Sequence, residues 1–557
     1  MAGLSKITMK INTDASSLMF YTLVLLAISI PLSEFGMSIS QFILLGIWIF
    51  QGSGTYAAGC YGSNGKMQRM LFSIRNILIS LSGKFRMLFN NPAAMVVVSL
   101  YLLHVAGTLY SSDLNYALKD LRIKLPLLSI PVILATSPGI SAGRFRKLMI
   151  FFTLAVFTGT LASTYVLLTK NVSDPRDLSI FISHIRFSLT ICFAIFILIY
   201  FLIHKKYNHK LSRFIIAAGI LWFLLFLFIL ESITGIFITG LLTLIFLGYY
   251  IFTVRGQLLR LSVAVAGIIL TVASVYYFRS FVKDFTSASP VDFSTLDKYT
   301  EFGTPYIHDT CTYGIENGQF VGLFLCPTEL RHEWNKRSKL SYDGVDKKGH
   351  ELNYTLIRFL HSKGYRKDAR GVRKLTDAEI RHIENGVANA DYLENFNLKS
   401  RFEQIAMGYS NYIRHGDPNA SSVMQRFEYW KTSIHIVKKH WLTGVGTGDL
   451  NDAFYKAYNE TGSKLQEDYR KRSHNQFLAI FIAFGVFGLA WFLFTLIYPA
   501  FKLGKFSDYY YVVFFIIIFM SMLTEDTLET QAGATFFAFF NALLLFGRRR
   551  NIDDRSD

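Results

Sequence analysis

Apolar positions along the 557-residue chain gather into long unbroken runs rather than alternating with polar ones. About twelve runs can be read, near 17–33, 37–51, 93–110, 125–138, 148–169, 187–203, 214–230, 234–253, 261–278, 477–498, 509–523 and 532–547. Most approach the ~20 residues that cross a ~30 Å hydrocarbon layer as a helix, and the second, fourth and eleventh are the shortest. The ten-residue alternation of transmembrane strands is missing, which sets aside a β-barrel. The pattern predicts an all-α polytopic membrane protein. Helices 1–9 fall in 1–278, a large, mainly helical external loop in 279–474, and helices 10–12 with a basic tail in 475–557. The first run follows a polar leader with Lys6 and Lys10, shows no small-residue cleavage pattern and is followed at once by a second run, so it is read as retained.

Composition agrees, since 52% hydrophobic, 16% aromatic and 17% charged residues do not describe a string of soluble domains. With 11 Pro, 39 Gly and four Cys, the disordered, collagen-like and disulfide-scaffold classes are also excluded. The charge of +18 gains meaning from its placement. If the N-terminus is inside, the leader, the even-numbered loops and the tail hold 22 Lys+Arg against 5 Asp+Glu, whereas the short loops of the other face hold 6 against 9. This is the positive-inside asymmetry, so both termini, with Arg548, Arg549 and Arg550, are expected in the cytoplasm and residues 279–474 outside. Nucleic acid is not expected as a partner, because the large external segment carries only 29 basic against 25 acidic residues.

The external segment carries folding signals. Thr376-Asp377-Ala378-Glu379 predicts a capping box ahead of Ile380, Ile383 and Val387 on one helical face. Leu352, Leu356, Ile357 and Leu360 predict a second amphipathic helix closed by Gly364. Cys311 and Cys326 lie in the same exported segment, where either a bridge or two buried thiols fits, while Cys60 and Cys192 are read inside and in a span. No C-x-x-C or H-x-x-x-H pattern suggests a metal site, and no cofactor is expected.

The chemistry concentrates between Arg426 and Gly488. A helix there places Trp430, Ile434, Val437 and Trp441 on one apolar face, with Arg426 at its start. Gly444-Val445-Gly446-Thr447-Gly448-Asp449 follows a helix and not a strand, so a turn between helices is preferred over a dinucleotide site. Ser473-His474-Asn475-Gln476 matches the S-x-x-Q capping box, with Ser473 as cap and His474 in the first turn of the tenth span. A helix dipole and the run Arg470-Lys471-Arg472 both disfavour an imidazolium, so His474 is expected to be a neutral proton acceptor at the outer membrane surface.

Arg426-x-x-x-Trp430, the glycine turn, His474-Asn475-Gln476-Phe477-Leu478 and Gly485-x-x-Gly488-Leu489 together resemble the O-antigen ligase and polymerase family of integral-membrane glycan transferases. The loop between the ninth and tenth spans resembles the ligase branch, and Glu525 through Gly533, EDTLETQAG, resembles the family's closing external loop. The resemblance implies inverting, metal-independent transfer of a glycan from undecaprenyl diphosphate to the lipid A-core of lipopolysaccharide. It places the chain in the bacterial inner membrane, with membrane lipids around it and the reaction at the periplasmic face. His474 is the general base it implies, and arginines hold the diphosphate.

Arg426 is the first candidate for that anion. Arg186, entering the sixth span from outside, either joins it or anchors the span at the headgroups, and Arg122 and Lys124 before the fourth span are further candidates. Glu525, Asp526 and Glu529 read more readily as a solvated acidic loop than as groups orienting His474. The alternatives are an O-antigen polymerase or a protein O-oligosaccharyltransferase with the same donor. A transporter or flippase is further off, because ionisable groups at mid-membrane are nearly absent.

Overall fold

A computed structural model describes residues 2–51, 66–170, 175–204, 209–253, 291–316, 318–393 and 421–549, and parts of 256–290 and 402–419. The chain is mostly helical and divides into two compact units, residues 1–243 with 425–557, and residues 244–424.

The first unit begins with α1 (Ala2–Leu32), α2 (Glu34–Phe50), α3 (Lys66–Phe89), α4 (Pro92–Thr108), α5 (Leu114–Lys124), α6 (Pro126–Thr136), α7 (Ala142–Thr169), α8 (His184–Ile203), α9 (Lys210–Ile229) and α10 (Ile233–Thr253), the last running across the unit boundary. Helices α7, α8, α9, α10 and, further along, Gln476–Lys502 are each long and apolar enough to cross a membrane. Ile74–Phe89 and α4 pass that test together, bent by 97°. Ser16–Leu32, Glu34–Phe50, Tyr509–Thr524 and Gln531–Gly547 are shorter apolar helices. The run 261–278 is described in part, with Arg260–Ala273 a further shorter apolar helix.

Contacts between element ends sort the bundle into two faces. At one face Gln531 Nε2 donates to Ser38 Oγ (2.6 Å), Lys124 pairs with Glu529 (2.9 Å) and Ser112 N donates to Asp449 (2.9 Å). At the other, Arg144 donates to Ser16 and Ser17 (2.9 and 3.0 Å), Arg548 pairs with Asp508 (2.6 Å), and Ile140 N donates to Gly547 O (2.7 Å). The fourth run needs correction in length: α6 has only 11 residues, about 16 Å of helix, short of a span. Its flanks nevertheless reach both faces, because Lys124 before it pairs with Glu529 while extended backbone from Ser137 carries Ile140 to Gly547.

The second unit has its own core. Ile315–Glu316 (β1) pairs antiparallel with Gln319–Phe320 (β2), followed by α11 (Pro327–Arg337), α12 (Leu352–Ser362) and α13 (Asp377–Glu384). Leu352, Leu356, Ile357 and Leu360 are buried with Trp334, Ile380 and Ile383. Thr376 and Glu379 form the expected capping box, and Gly364 closes α12 at φ +66°. No bridge joins Cys311 to Cys326. The ladder pairs Ile307 with Leu325. Cys311 sits in a bend, its N donating to Asp309 Oδ1 (2.7 Å), and is exposed, whereas Cys326 is buried.

The chain returns to the first unit through α14 (Ser422–Lys439), α15 (Leu450–Glu460), α16 (Gln476–Lys502), α17 (Tyr509–Thr524) and α18 (Gln531–Ala542). Residues 425–474, grouped by the sequence with the external segment, pack in this unit. The buried face of α14 is Tyr429, Thr432, Ser433 and Ile436, whereas Ile434 and Trp441 are exposed. An apolar stripe turns toward whichever medium is apolar, and for a helix beside a bilayer that medium is lipid.

Candidate active site

Five segments meet at the face that carries Lys124 and Glu529: the end of α4, the end of α5, the start of α14, the approach to α16 and the 525–529 loop. The glycine turn fixes their relation. Val445 N and Gly446 N donate to Ile482 O and Ala483 O (both 2.9 Å), and Val486 N donates to Trp441 O (2.9 Å). These bonds use a break in α16 at Gly485, which has φ +65°; a Cβ there would lie 2.1 Å from Leu442 O, so only glycine fits. Thr447 Oγ1 donates to His104 O (2.7 Å), Gly448 N to Ser111 Oγ (2.9 Å), and Asp449 accepts from Ser112 N and Asp113 N (2.9 and 2.8 Å). The turn's donors are thus spent on protein, and it is a staple that docks α14 against α4 and α16.

His474 lies just before α16, and its place corrects the capping expectation. Asn475 is the cap, accepting from Leu478 N (3.0 Å), while Ser473 Oγ donates to Asn475 O (3.0 Å). His474 itself has φ +43°, a left-handed backbone that a residue with a Cβ seldom adopts and that is concentrated at functional sites. Its Nδ1 is 3.2 Å from Glu525 Oε2 and 3.8 Å from Asp526 Oδ1. The ring stacks on Tyr429 at 5.3 Å, and Tyr429 is fixed by donating to Tyr469 O (2.8 Å). The imidazole is 33% exposed, and among the described residues Nε2 has no hydrogen-bond partner. The other oxygen of Glu525 accepts from Arg426 Nη2 at 2.6 Å. One carboxylate therefore holds both the imidazole and the guanidinium.

The acidic loop is not solvated: Glu525, Asp526 and Glu529 are all buried. Burial pushes the Glu525 carboxyl up, but the His474 contact and the Arg426 charge outweigh it and leave it below the usual carboxylate range. Asp526 is held above that range by burial, and its Oδ1 has no hydrogen-bond partner among the described residues. Adjacent carboxyls are thus driven apart, the pattern that separates proton-holding from charge-holding roles. His474, Glu525 and Asp526 also bring three ligand-type atoms within 4.8 Å of one another. The Arg426 guanidinium on Glu525 already supplies the positive charge a cation would bring.

Behind this triad lies a second, closed network. Lys124, 1% exposed, pairs with Asp120 (2.8 Å) and Glu529 (2.9 Å) and lies 3.3 Å from His104 Nδ1, so its three donors are used. Burial opposes the ammonium, yet the two carboxylates outweigh burial and raise its pKa. Glu529 also accepts from Arg472 (3.2 Å) and Gln476 (3.3 Å), and Gln476 Oε1 accepts from Leu528 N (2.7 Å).

Residues 385–493 match the O-antigen ligase family. No curated protein matches the chain. The ligase-family match bears out the resemblance read from the motifs, and it contains Arg426, the glycine turn, His474 and Gly485. Glu525, Glu529 and Lys124 lie outside it. Of the candidates drawn from sequence, Arg426 and His474 meet on Glu525, whereas Lys124 is enclosed in the network behind them. Arg122 is exposed on α5, two residues from both Asp120 and Lys124 and so about 200° around the helix from their face. Arg186, in the first turn of α8, has a buried Nε without a partner among the described residues, and no hydrogen bond joins it to His474 or Arg426. The sequence favours a solvated loop for Glu525 over a group orienting His474, whereas the structure buries it in contact with both His474 and Arg426; the available signal is three acids within five residues between two apolar spans.

Proposed function

We propose that the protein is an O-antigen ligase that transfers a glycan from undecaprenyl diphosphate to the lipid A-core of lipopolysaccharide, at the periplasmic face of the bacterial inner membrane. The observation that carries this reading is one imidazole anchored through Nδ1 to a buried carboxylate, which also grips an arginine, within the segment that matches the ligase family. An ionised carboxylate only accepts, so Nδ1 keeps its proton on Glu525 and Nε2 carries the lone pair. Nε2 takes the proton of the acceptor hydroxyl as its oxygen attacks the anomeric carbon. The bond from that carbon to the diphosphate oxygen breaks with inversion, and the diphosphate leaves with the electron pair. Positioned base catalysis of this kind is worth ~10²–10⁴-fold.

Arg426, a quarter exposed, meets the charge developing on the diphosphate with the donors that Glu525 leaves open, and Arg186 and Arg122 extend the basic approach for the carrier. Lys124 serves the site from behind, by holding Glu529 and thereby the 525–529 loop. Nothing in this sequence of steps routes through a metal.

A deletion strain tests the reading. Loss of long-chain lipopolysaccharide with accumulation of carrier-linked polymer is the ligase outcome. Lipopolysaccharide bearing a single repeat assigns the protein as a polymerase, unglycosylated target proteins with normal lipopolysaccharide assign it as a protein O-oligosaccharyltransferase, and carrier-linked glycan retained inside assigns it as a flippase.

A further inference from the structure

Helix α3 was not among the runs that read as spans, and it differs from every helix around it. Over Lys66–Phe89 it has Lys66, Arg69, Arg75, Lys84 and Arg86 and no acidic residue. It meets α4 at 97°. The corner is built locally: Asn91 caps α4 by accepting from Ala94 N (3.2 Å), and Pro92 opens that helix. Because α4 runs between the two faces of the bundle alongside α16, a helix at right angles to it lies across the basic face.

One stripe of α3, Asn76, Lys84 and Leu88, is buried toward α2, α4 and α6. Lys84 donates to Trp48 O and to Gln51 O (2.7 Å), closing the carbonyl end of α2. The remaining surface has two sectors. At 100° per residue Ile74, Leu78, Phe85 and Phe89 fall within an arc of about 60°, and Arg75 and Arg86 lie about 20° apart just beyond it. The four apolar side chains are 44%, 61%, 43% and 65% exposed. Arg144 is bonded to Ser16 and Ser17, Arg548 to Asp508 and Arg549 to Gly139 O. In contrast, Arg75 and Arg86 are exposed and have no acceptor among the described residues.

We infer that α3 is an in-plane interfacial helix that binds acidic phospholipid: its apolar arc sinks into the acyl region and Arg75 and Arg86 grip the headgroup phosphates. The geometry matches an amphipathic helix at a bilayer surface, where an apolar face and flanking cations act together. The occupant follows from charge complementarity, since a helix with no anion and four cations besides the buried Lys84 selects an anionic headgroup over a zwitterionic one. Docked in this way, α3 fixes the origin of α4, whose far end receives the glycine turn.

The test uses the purified full-length protein in detergent, titrated with phosphatidylglycerol or phosphatidylcholine and read by native mass spectrometry. R75Q/R86Q is expected to lose phosphatidylglycerol affinity by about fivefold per arginine removed, with phosphatidylcholine unchanged, and R75K/R86K to retain most of it. Phosphatidylglycerol binding by R75Q/R86Q equal to wild type overturns the inference. A second measurement is independent of that variant's folding. In inverted membrane vesicles with the native cysteines replaced by Ser, Leu78→Cys is expected to be protected from a membrane-impermeant maleimide while Arg86→Cys is labelled. Equal labelling of the two overturns it as well.

Discussion

Replacing Glu525 with Gln removes one charge and almost no volume from the point where His474 and Arg426 meet. The amide oxygen still accepts a hydrogen bond, but it no longer opposes the imidazolium that forms when Nε2 takes the acceptor's proton, and the amide's NH₂ group competes to donate to Nδ1. Loss of the orienting carboxylate in a base of this type costs up to ~10⁴-fold in kcat. Glu525 is buried while His474 remains a third exposed to screening solvent, so a fall of about 10²–10³-fold is expected, or about 2.7–4 kcal/mol of transition-state stabilisation. The assay is single-turnover transfer from a lipid-linked glycan to lipid A-core in reconstituted vesicles, with donor KM measured in parallel. KM is expected to rise less than kcat falls, and E525Q/H474A is expected to be no slower than H474A alone, because the two residues act as one unit. Wild-type kcat in a folded E525Q protein, or additive losses in the double variant, refutes the reasoning.

Arg426→Ala is expected to impair transfer more than Arg426→Lys, because an ammonium keeps the charge but not the fork that matches a diphosphate; equal activity of both with wild type removes Arg426 from the site. Lys124→Ala is expected to lower stability by about 3–5 kcal/mol in thermal or denaturant unfolding, since Asp120 is left buried without its cation and Glu529 keeps only Arg472, while Arg122→Ala changes it by less than about 0.5 kcal/mol. Glu525 is a carboxylate whose folded pKa is depressed, so the stability it contributes is complete above the ordinary carboxylate pKa and is lost as pH falls through the lower folded value. Unfolding midpoints measured from neutral pH downward are therefore expected to drop more steeply for wild type than for E525Q, and parallel curves contradict the pairing.

Much of the architecture was legible because long apolar runs admit few structures in a bilayer, and the helices over 142–169, 184–203, 210–229, 233–253 and 476–502 begin and end close to where those runs do. Helix α3 was missed for the same reason: with five cations among its apolar residues it resembles no span. Arg426 and His474 were legible through motif spacing, but their meeting on Glu525 was not, since it joins positions 99 and 51 residues apart. Acidic loop residues such as Glu525 and Glu529 also look solvated until Arg426, Lys124 and Arg472 are seen against them. The cap at position 473 failed to a near competitor, because Asn475 caps as readily as Ser473 and only the left-handed turn at His474 decides between them.

The central claim is that a single imidazole deprotonates the acceptor, and its most direct test is the transfer rate of purified His474→Ala in vesicles supplied with lipid-linked glycan and lipid A-core. The account predicts that this variant remains folded and still binds the donor, yet transfers the glycan about 10²–10⁴-fold more slowly than wild type. Consumption of the lipid-linked glycan at the wild-type rate would contradict it.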